Sequence, residues 1–225
     1  IATFFISDFR PKLVFSFPQI SMLISYSKWV VGQNIINYFS SVVDTVFVAR
    51  ILDSSNVGLY TKSKDLSIIP SSYIYQITYK VGLSAYAKIQ GSADMVRDSF
   101  IKTLDFALII SLIFSALIIG YGHEYIQFFL GNKWISIFEV LSLLSIAMIF
   151  RSIYYVTFPV FDGVGKPKLR FLTMLIQLIT SIILLYLFRN QGLHGVAIAM
   201  IISMFITAAS SMLMMILFIK MPILK

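Results

Sequence analysis

The stretch AMIFRSIYY, residues 147–155, sets Arg151 in the middle of an apolar run that extends from Ile135 to Val160. A guanidinium does not lose its proton, so Arg151 stays charged whatever surrounds it. Its chemistry is that of a fixed cation with a flat fork of donors, matched to carboxylate or phosphate oxygens. Tyr154 and Tyr155, one turn on, add ring faces and hydroxyls. Other polar groups interrupt other apolar stretches. Ser27, Asn34, Asn37, Ser41 and Asp44 follow at spacings of seven, three, four and three. At about 100° per residue they fall within ~100° of arc on one helix face. Thr61, Asp65, Ser72, Gln76 and Tyr79 share a face of the next helix in the same way.

Such rows cannot look at lipid. They turn toward other helices, where they hydrogen-bond, or toward water in a transport cavity. Because the pattern recurs on neighbouring helices, the cavity is the stronger reading, with interhelical bonding as the alternative. An arginine at mid-span costs about 2.5–3.5 kcal/mol on insertion scales. It therefore needs a partner: Asp44 or Asp65 from another helix, or an anionic substrate. Glu139 lies twelve residues away, roughly 18 Å and 120° around the helix, so it cannot pair with Arg151 within one helix.

The composition says what must position these groups. Of 225 residues, 58% are hydrophobic and 12% charged, with a mean hydropathy of +0.87. Soluble domains carry about 25% charged residues. The chain reads as an all-α integral membrane protein. It has no cysteine, which excludes disulfides and thiolate metal sites; His123 and His194 are far apart and read as ordinary loop or interface residues. The net charge of +8 points to basic cytoplasmic loops rather than to nucleic acid, since no basic stripe with interleaved aromatics occurs. The chain opens on Ile1 with no basic leader, which is expected of a fragment of a longer protein.

A span takes ~20 apolar residues. Six are expected, over about 20–48, 57–85, 100–121, 134–161, 169–188 and 196–218. The loops sort by charge. Arg10 and Lys12, then Lys88, Arg97 and Lys102, then Lys166, Lys168 and Arg170, then Lys220 and Lys225 fall on one side. Only Arg50, Lys133 and Arg189 fall on the other, so both ends are expected in the cytoplasm. Lys28 is expected to snorkel to that interface, and Lys62 and Lys64 to anchor the outer one. Pro70 sits mid-span, a kink or a break in the backbone ladder. HEYIQFFLGNKW, with Trp134, reads as an outer interfacial segment. GVGKP is no phosphate-binding loop, because Val160 and Pro167 stand where Gly and Ser or Thr are required. HEYIQ lacks the second His of a metalloprotease helix, and no GxSxG occurs. No enzyme and no cofactor is expected.

Three stretches carry a resemblance: DTVFVARILDSSNVGLYTKSKDLSIIP, FFLGNKW, and FDGVGKPKLRF followed by QGLHGVAIA. In that order and spacing they resemble the bacterial polysaccharide flippases of the multidrug/oligosaccharidyl-lipid/polysaccharide (MOP) exporter superfamily. The resemblance runs from about Phe15 onward and is to the type exporting O-antigen, colanic-acid or teichuronic-acid repeat units. It implies a MATE-like pair of six-helix bundles around a V-shaped cavity, of which this chain would be the C-terminal bundle. It implies alternating-access transport of an undecaprenyl-diphosphate-linked oligosaccharide across the cytoplasmic membrane. The implied partners are the bilayer, the N-terminal bundle of the same protein, and H+ or Na+ as coupling ion. Asp44 matches the family's Asp before the first outer loop, and Arg151 sits where relatives carry a basic residue. The chain departs from the pattern in the charges at Lys62, Lys64 and Asp65.

The candidate cavity residues are thus Arg151, Asp44, Asn34, Asn37, Asp65, Gln76 and Tyr154. A drug/cation antiporter of the same fold is the second reading, and Arg151 argues against it. A membrane-embedded polysaccharide polymerase or acyltransferase is the third. Short outer loops and the absence of an intramembrane His argue against that.

Overall fold

The computed structural model describes residues 17–219. Arg10, Lys12, Lys220 and Lys225, counted above among the loop cations, lie outside the described residues. The rest is helical. Helix α1 is Phe17–Ile51, α2 is Ser54–Ile89 and α3 is Ala93–Phe129. A 3-10 turn (Asn132–Ile137) leads into α4 (Phe138–Val156), which breaks at Thr157 and continues as the short α5 (Phe158–Gly163). Then come α6 (Pro167–Leu187), a 3-10 turn at Arg189–Gln191, and α7 (Gly192–Ile219). The six expected spans correspond to α1, α2, α3, α4 with α5, α6 and α7. In lipid a helix is the structure that keeps every backbone bond within one segment. α3, Asn132–Gly163, α6 and Arg189–Leu217 are each long and apolar enough to cross a membrane. α1 and α2 match them in length and carry the polar rows. At ~1.5 Å per residue, the 37 residues of α3 span about 55 Å, well beyond a ~30 Å hydrocarbon core.

Short turns fix the neighbours. After α1 the Asp53 carboxylate accepts from the Asn56 N–H at 3.0 Å and caps α2. This folds α2 back along α1. α2 then runs unbroken through Pro70. At the other end of the bundle, Gly165 (φ 73°) takes the left-handed conformation that closes α5, and the Lys166 N–H returns to the Phe161 carbonyl at 2.8 Å. Pro167 then starts α6 where its missing N–H costs nothing.

α4 is the central post, packed against α2, α3 and α7, while α1 lies on α6. Leu144 and Ala147 of α4 meet Ala197, Met200 and Met204 of α7 in one core cluster. Polar pairs hold helices where the hydrophobic effect between them is weak. Ser111 of α3 donates to Ser152 of α4 at 2.6 Å, Ser115 and Ser145 sit at 3.3 Å, and Ser181 of α6 meets Ser203 of α7 at 2.9 Å. Such bonds contribute ~0.6–2 kcal/mol each. Small residues let backbones close in. A Cβ on Gly163 would lie 2.7 Å from the Tyr86 Cβ and 3.0 Å from the Leu83 carbonyl. That approach docks α5 on α2 and so sets the height of the residues between them.

Gly163→Ala is accordingly expected to cost about 1–3 kcal/mol, as over-packing does. Gly91→Ala, at a position with nothing within 4 Å, is expected to cost little. Thermal melting of the purified variants checks this; equal melting temperatures would remove Gly163 as the determinant of the α2–α5 contact.

Candidate functional site

Asp44 is buried, with 1% exposure, although it sits in an apolar helix. Its surroundings explain why it is tolerated. Oδ1 accepts from Lys64 Nζ at 2.7 Å and from the Thr45 N–H at 2.7 Å, and Oδ2 accepts from the Tyr60 hydroxyl at 2.7 Å. Lys64 Nζ also donates to the Ser41 carbonyl at 2.8 Å. The α1–α2 turn makes this pairing inevitable: Asp44 and Tyr60 stand equally far from Leu52, and Lys64 is one turn beyond Tyr60. Both oxygens of Asp44 are engaged, so this is a fully satisfied buried ion pair.

Arg151 sits beside it. Asp44, Tyr60, Lys64 and Arg151 line one cavity with Met200 and Met204; Arg151 also lines a second one with Asn37, Ser40, Ser41, Tyr154 and Tyr155. Arg151 Nε donates to the Tyr155 hydroxyl at 2.9 Å, and the guanidinium carbon lies 5.2 Å from that ring's centre. Among the described residues it has no carboxylate within ion-pair distance. The cavities are each about 30 Å³. That admits about two or three waters, at ~10–15 Å³ each, and nothing the size of a diphosphate.

From Arg151 a seam continues along α4 and α5. Arg151, Tyr155, Phe158 and Asp162 follow at spacings of four, three and four, one helical face drawn out over roughly 16 Å. α2 presents Tyr75 and Tyr79 to it. The Tyr75 and Tyr155 rings are 5.0 Å apart, and Tyr75 meets Phe158 edge-on at 5.9 Å. At the far end Arg170 of α6 pairs with Asp162 through Nη1 and Oδ2. Arg170 also donates to Tyr79 at 3.2 Å and Tyr75 at 3.4 Å, and lies 4.2 Å from the Phe158 ring centre. The seam therefore reads Lys64–Asp44, Arg151, Tyr155–Tyr75, Tyr79, Asp162–Arg170. Three cations face two carboxylates.

Of the residues singled out in the sequence, Arg151, Asp44, Asn37 and Tyr154 are brought together around these cavities. Asn34, Asp65 and Gln76 are exposed and line neither. Asp65 as a counter-ion of Arg151 is therefore corrected: it sits ~100° around the helix from Lys64 and points away from the packed face. Lys64 as an interfacial anchor is corrected too, because it bonds Asp44; Lys62 lies 5.8 Å from the Trp134 ring centre, as an anchor would. His194 meets Glu139 at 2.9 Å, both exposed, and His123 stands edge-on to Phe138. Asp162, Arg170, Tyr60 and Tyr75 were not foreseen as members of the site, and Tyr155, expected beside Arg151, is the residue that bonds it. The signal existed: Asp162 and Arg170 are placed symmetrically about the Gly165–Pro167 turn, as Asp44 and Tyr60 are about Leu52.

Comparison with known proteins accords with this architecture. The chain is 31% identical over 147 residues to the lipopolysaccharide biosynthesis protein WzxC of Escherichia coli strain K12, covering 64% of this chain and 30% of that one. It is 20% identical to the teichuronic acid biosynthesis protein TuaB of Bacillus subtilis strain 168, covering 72% and 34%. It is 22% identical to a putative O-antigen transporter of Shigella flexneri, covering 82% and 44%. The chain thus spans less than half the length of these relatives. Its fold superposes on that of a MOP superfamily transporter from Pyrococcus furiosus, reported with a binding pocket of reverse polarity. The TM-score is 0.67 at 16% identity, covering 89% of this chain and 45% of that one. Residues 1–139 match the family described as polysaccharide biosynthesis protein, and the chain belongs to that family.

Proposed function

We propose that this chain is the C-terminal six-helix bundle of a transporter that turns an undecaprenyl-diphosphate-linked oligosaccharide over the cytoplasmic membrane for surface polysaccharide synthesis. The observation that carries the reading is Arg151, a cation at membrane depth whose neighbouring carboxylate, Asp44, is already held by Lys64, Tyr60 and Thr45. A fixed positive charge without its own counter-ion suits a phosphate, to which guanidinium gives paired charge-assisted bonds. The exposed Asn34, Asn37 and Ser41 of α1 and Asp65 and Gln76 of α2 would line a water-filled space against the N-terminal bundle, since such rows are not left facing lipid. The diphosphate would be met at the mouth of the Arg151 cavities, with the sugar in the space between the bundles. The cytoplasmic loops would be those carrying Lys88, Arg97 and Lys166, and both ends of this segment would be cytoplasmic. H+ or Na+ would supply the driving force. The excess of cations over carboxylates in the seam weighs against drug/cation antiport.

In the full-length protein Arg151→Ala is expected to lower surface polysaccharide at least tenfold at unchanged expression, with Arg151→Lys intermediate. Complementation of a flippase-null strain checks this, and wild-type polysaccharide in the alanine variant would contradict the assignment. Asp44→Asn leaves Lys64 unmatched and is expected to cost about 3 kcal/mol of stability, with the double variant Asp44→Asn/Lys64→Met regaining most of it. Melting temperatures decide this. A double variant regaining stability but not export would place Asp44 in the transport step rather than in the scaffold.

A further inference from the structure

The two buried carboxylates of the seam are satisfied to different degrees. Asp44 has both oxygens bonded. Asp162, with 3% side-chain exposure, uses Oδ2 for Arg170 and Tyr79 and leaves Oδ1 buried without a partner among the described residues. Arg170, with 12% side-chain exposure, likewise leaves Nε buried and unpartnered, so the contact is single-pronged where a guanidinium and a carboxylate make two parallel bonds. Buried polar atoms without partners are costly, and a pair that strands one on each side is poorly made. Around it stand the Tyr75 and Tyr79 hydroxyls, which accept from Arg170, and the Phe158 ring, on whose face the guanidinium lies.

We propose that Arg170, with Tyr75 and Tyr79, is a second phosphate station at the loop end of the seam, and that Asp162 is its exchangeable resting counter-ion. A phosphate arriving at Arg170 displaces the Asp162 carboxylate from Nη1 and takes up the unpartnered Nε. The Tyr75–Tyr155 ring pair, whose two hydroxyls serve Arg170 and Arg151 respectively, joins this station to the deeper one. An anionic headgroup thus has two cationic stops separated by roughly three helical turns, with hydroxyl donors between them. Asp44, fully engaged, is not exchanged. This inference rests on the phosphate-binding reading of Arg151 and adds a site with its own signature.

The signature is opposite signs. If Asp162 competes with phosphate for Arg170, removing its charge tightens binding, whereas removing Arg170 weakens it. Inorganic pyrophosphate titrated calorimetrically into the full-length protein in detergent provides the measurement. Asp162→Asn is expected to bind pyrophosphate about tenfold more tightly, and Arg170→Gln about tenfold more weakly, than the wild type. Arg170→Lys, which keeps the charge and loses the fork, is expected to fall between, and thermal melting confirms that each variant is folded. Pyrophosphate binding that depends on Arg151 but is unmoved or weakened by Asp162→Asn overturns the second station alone. An Asp162→Asn protein that does not fold likewise makes Asp162 a structural partner and overturns the exchange. No pyrophosphate binding by the wild type overturns the phosphate reading of both stations.

Discussion

A charge at membrane depth must be matched locally, because neither water nor salt is there to do it. Breaking a buried pair by removing one partner costs about 3–5 kcal/mol, and leaving a lone polar atom costs 1–3. The bundle is arranged around that constraint. Each of the two buried carboxylates among the described residues lies near a helix turn and is met by a cation from the returning helix: Asp44 by Lys64, Asp162 by Arg170. Tyrosines fill the remaining donor roles. Arg151 is the exception, held by a tyrosine hydroxyl and a ring face and by no carboxylate of its own.

The packing serves this arrangement. Serine pairs lock α3 to α4 and α6 to α7 into a firm half of the bundle, and α4 presents Arg151 and Tyr155 from it. α1 and α2 bring the opposing groups and keep Asn34, Asn37, Ser41, Asp65 and Gln76 of their polar rows exposed. Chemistry thus collects on the face of the bundle that its apolar helices do not cover. This is the layout expected if another body, rather than lipid, completes the site.

Much of this was legible in the sequence. Hydropathy and periodicity put six helical stretches close to the observed helices, and four of the described helical stretches are long and apolar enough to cross a membrane. Arg151 and Asp44 stood out because charge in an apolar run has few explanations. Periodicity found the polar rows on α1 and α2 but could not tell which rows pack and which stay open. Tyr60 and Lys64, not Asp65, turn toward α1, a difference of ~100° that depends on how the hairpin is rotated. Arg170 was hidden for another reason: counted with Lys166 and Lys168 as a loop cation, it is in fact the first-turn residue of α6 that closes on Asp162. Pairing residues symmetrically about each turn would have found Asp162–Arg170 and Asp44–Tyr60, with Lys64 one helical turn beyond Tyr60. The tyrosine bridge between the arginines joins α2 to α4 across more than seventy residues, and no local pattern encodes it.

What faces Arg151 in the proposed transporter is the decisive question. A structure of the full-length protein with bound undecaprenyl diphosphate answers it directly. A phosphate oxygen is expected within ~3 Å of the Arg151 terminal nitrogens, with Asp44 still on Lys64. A protein carboxylate in that position, with the lipid headgroup elsewhere, would contradict it.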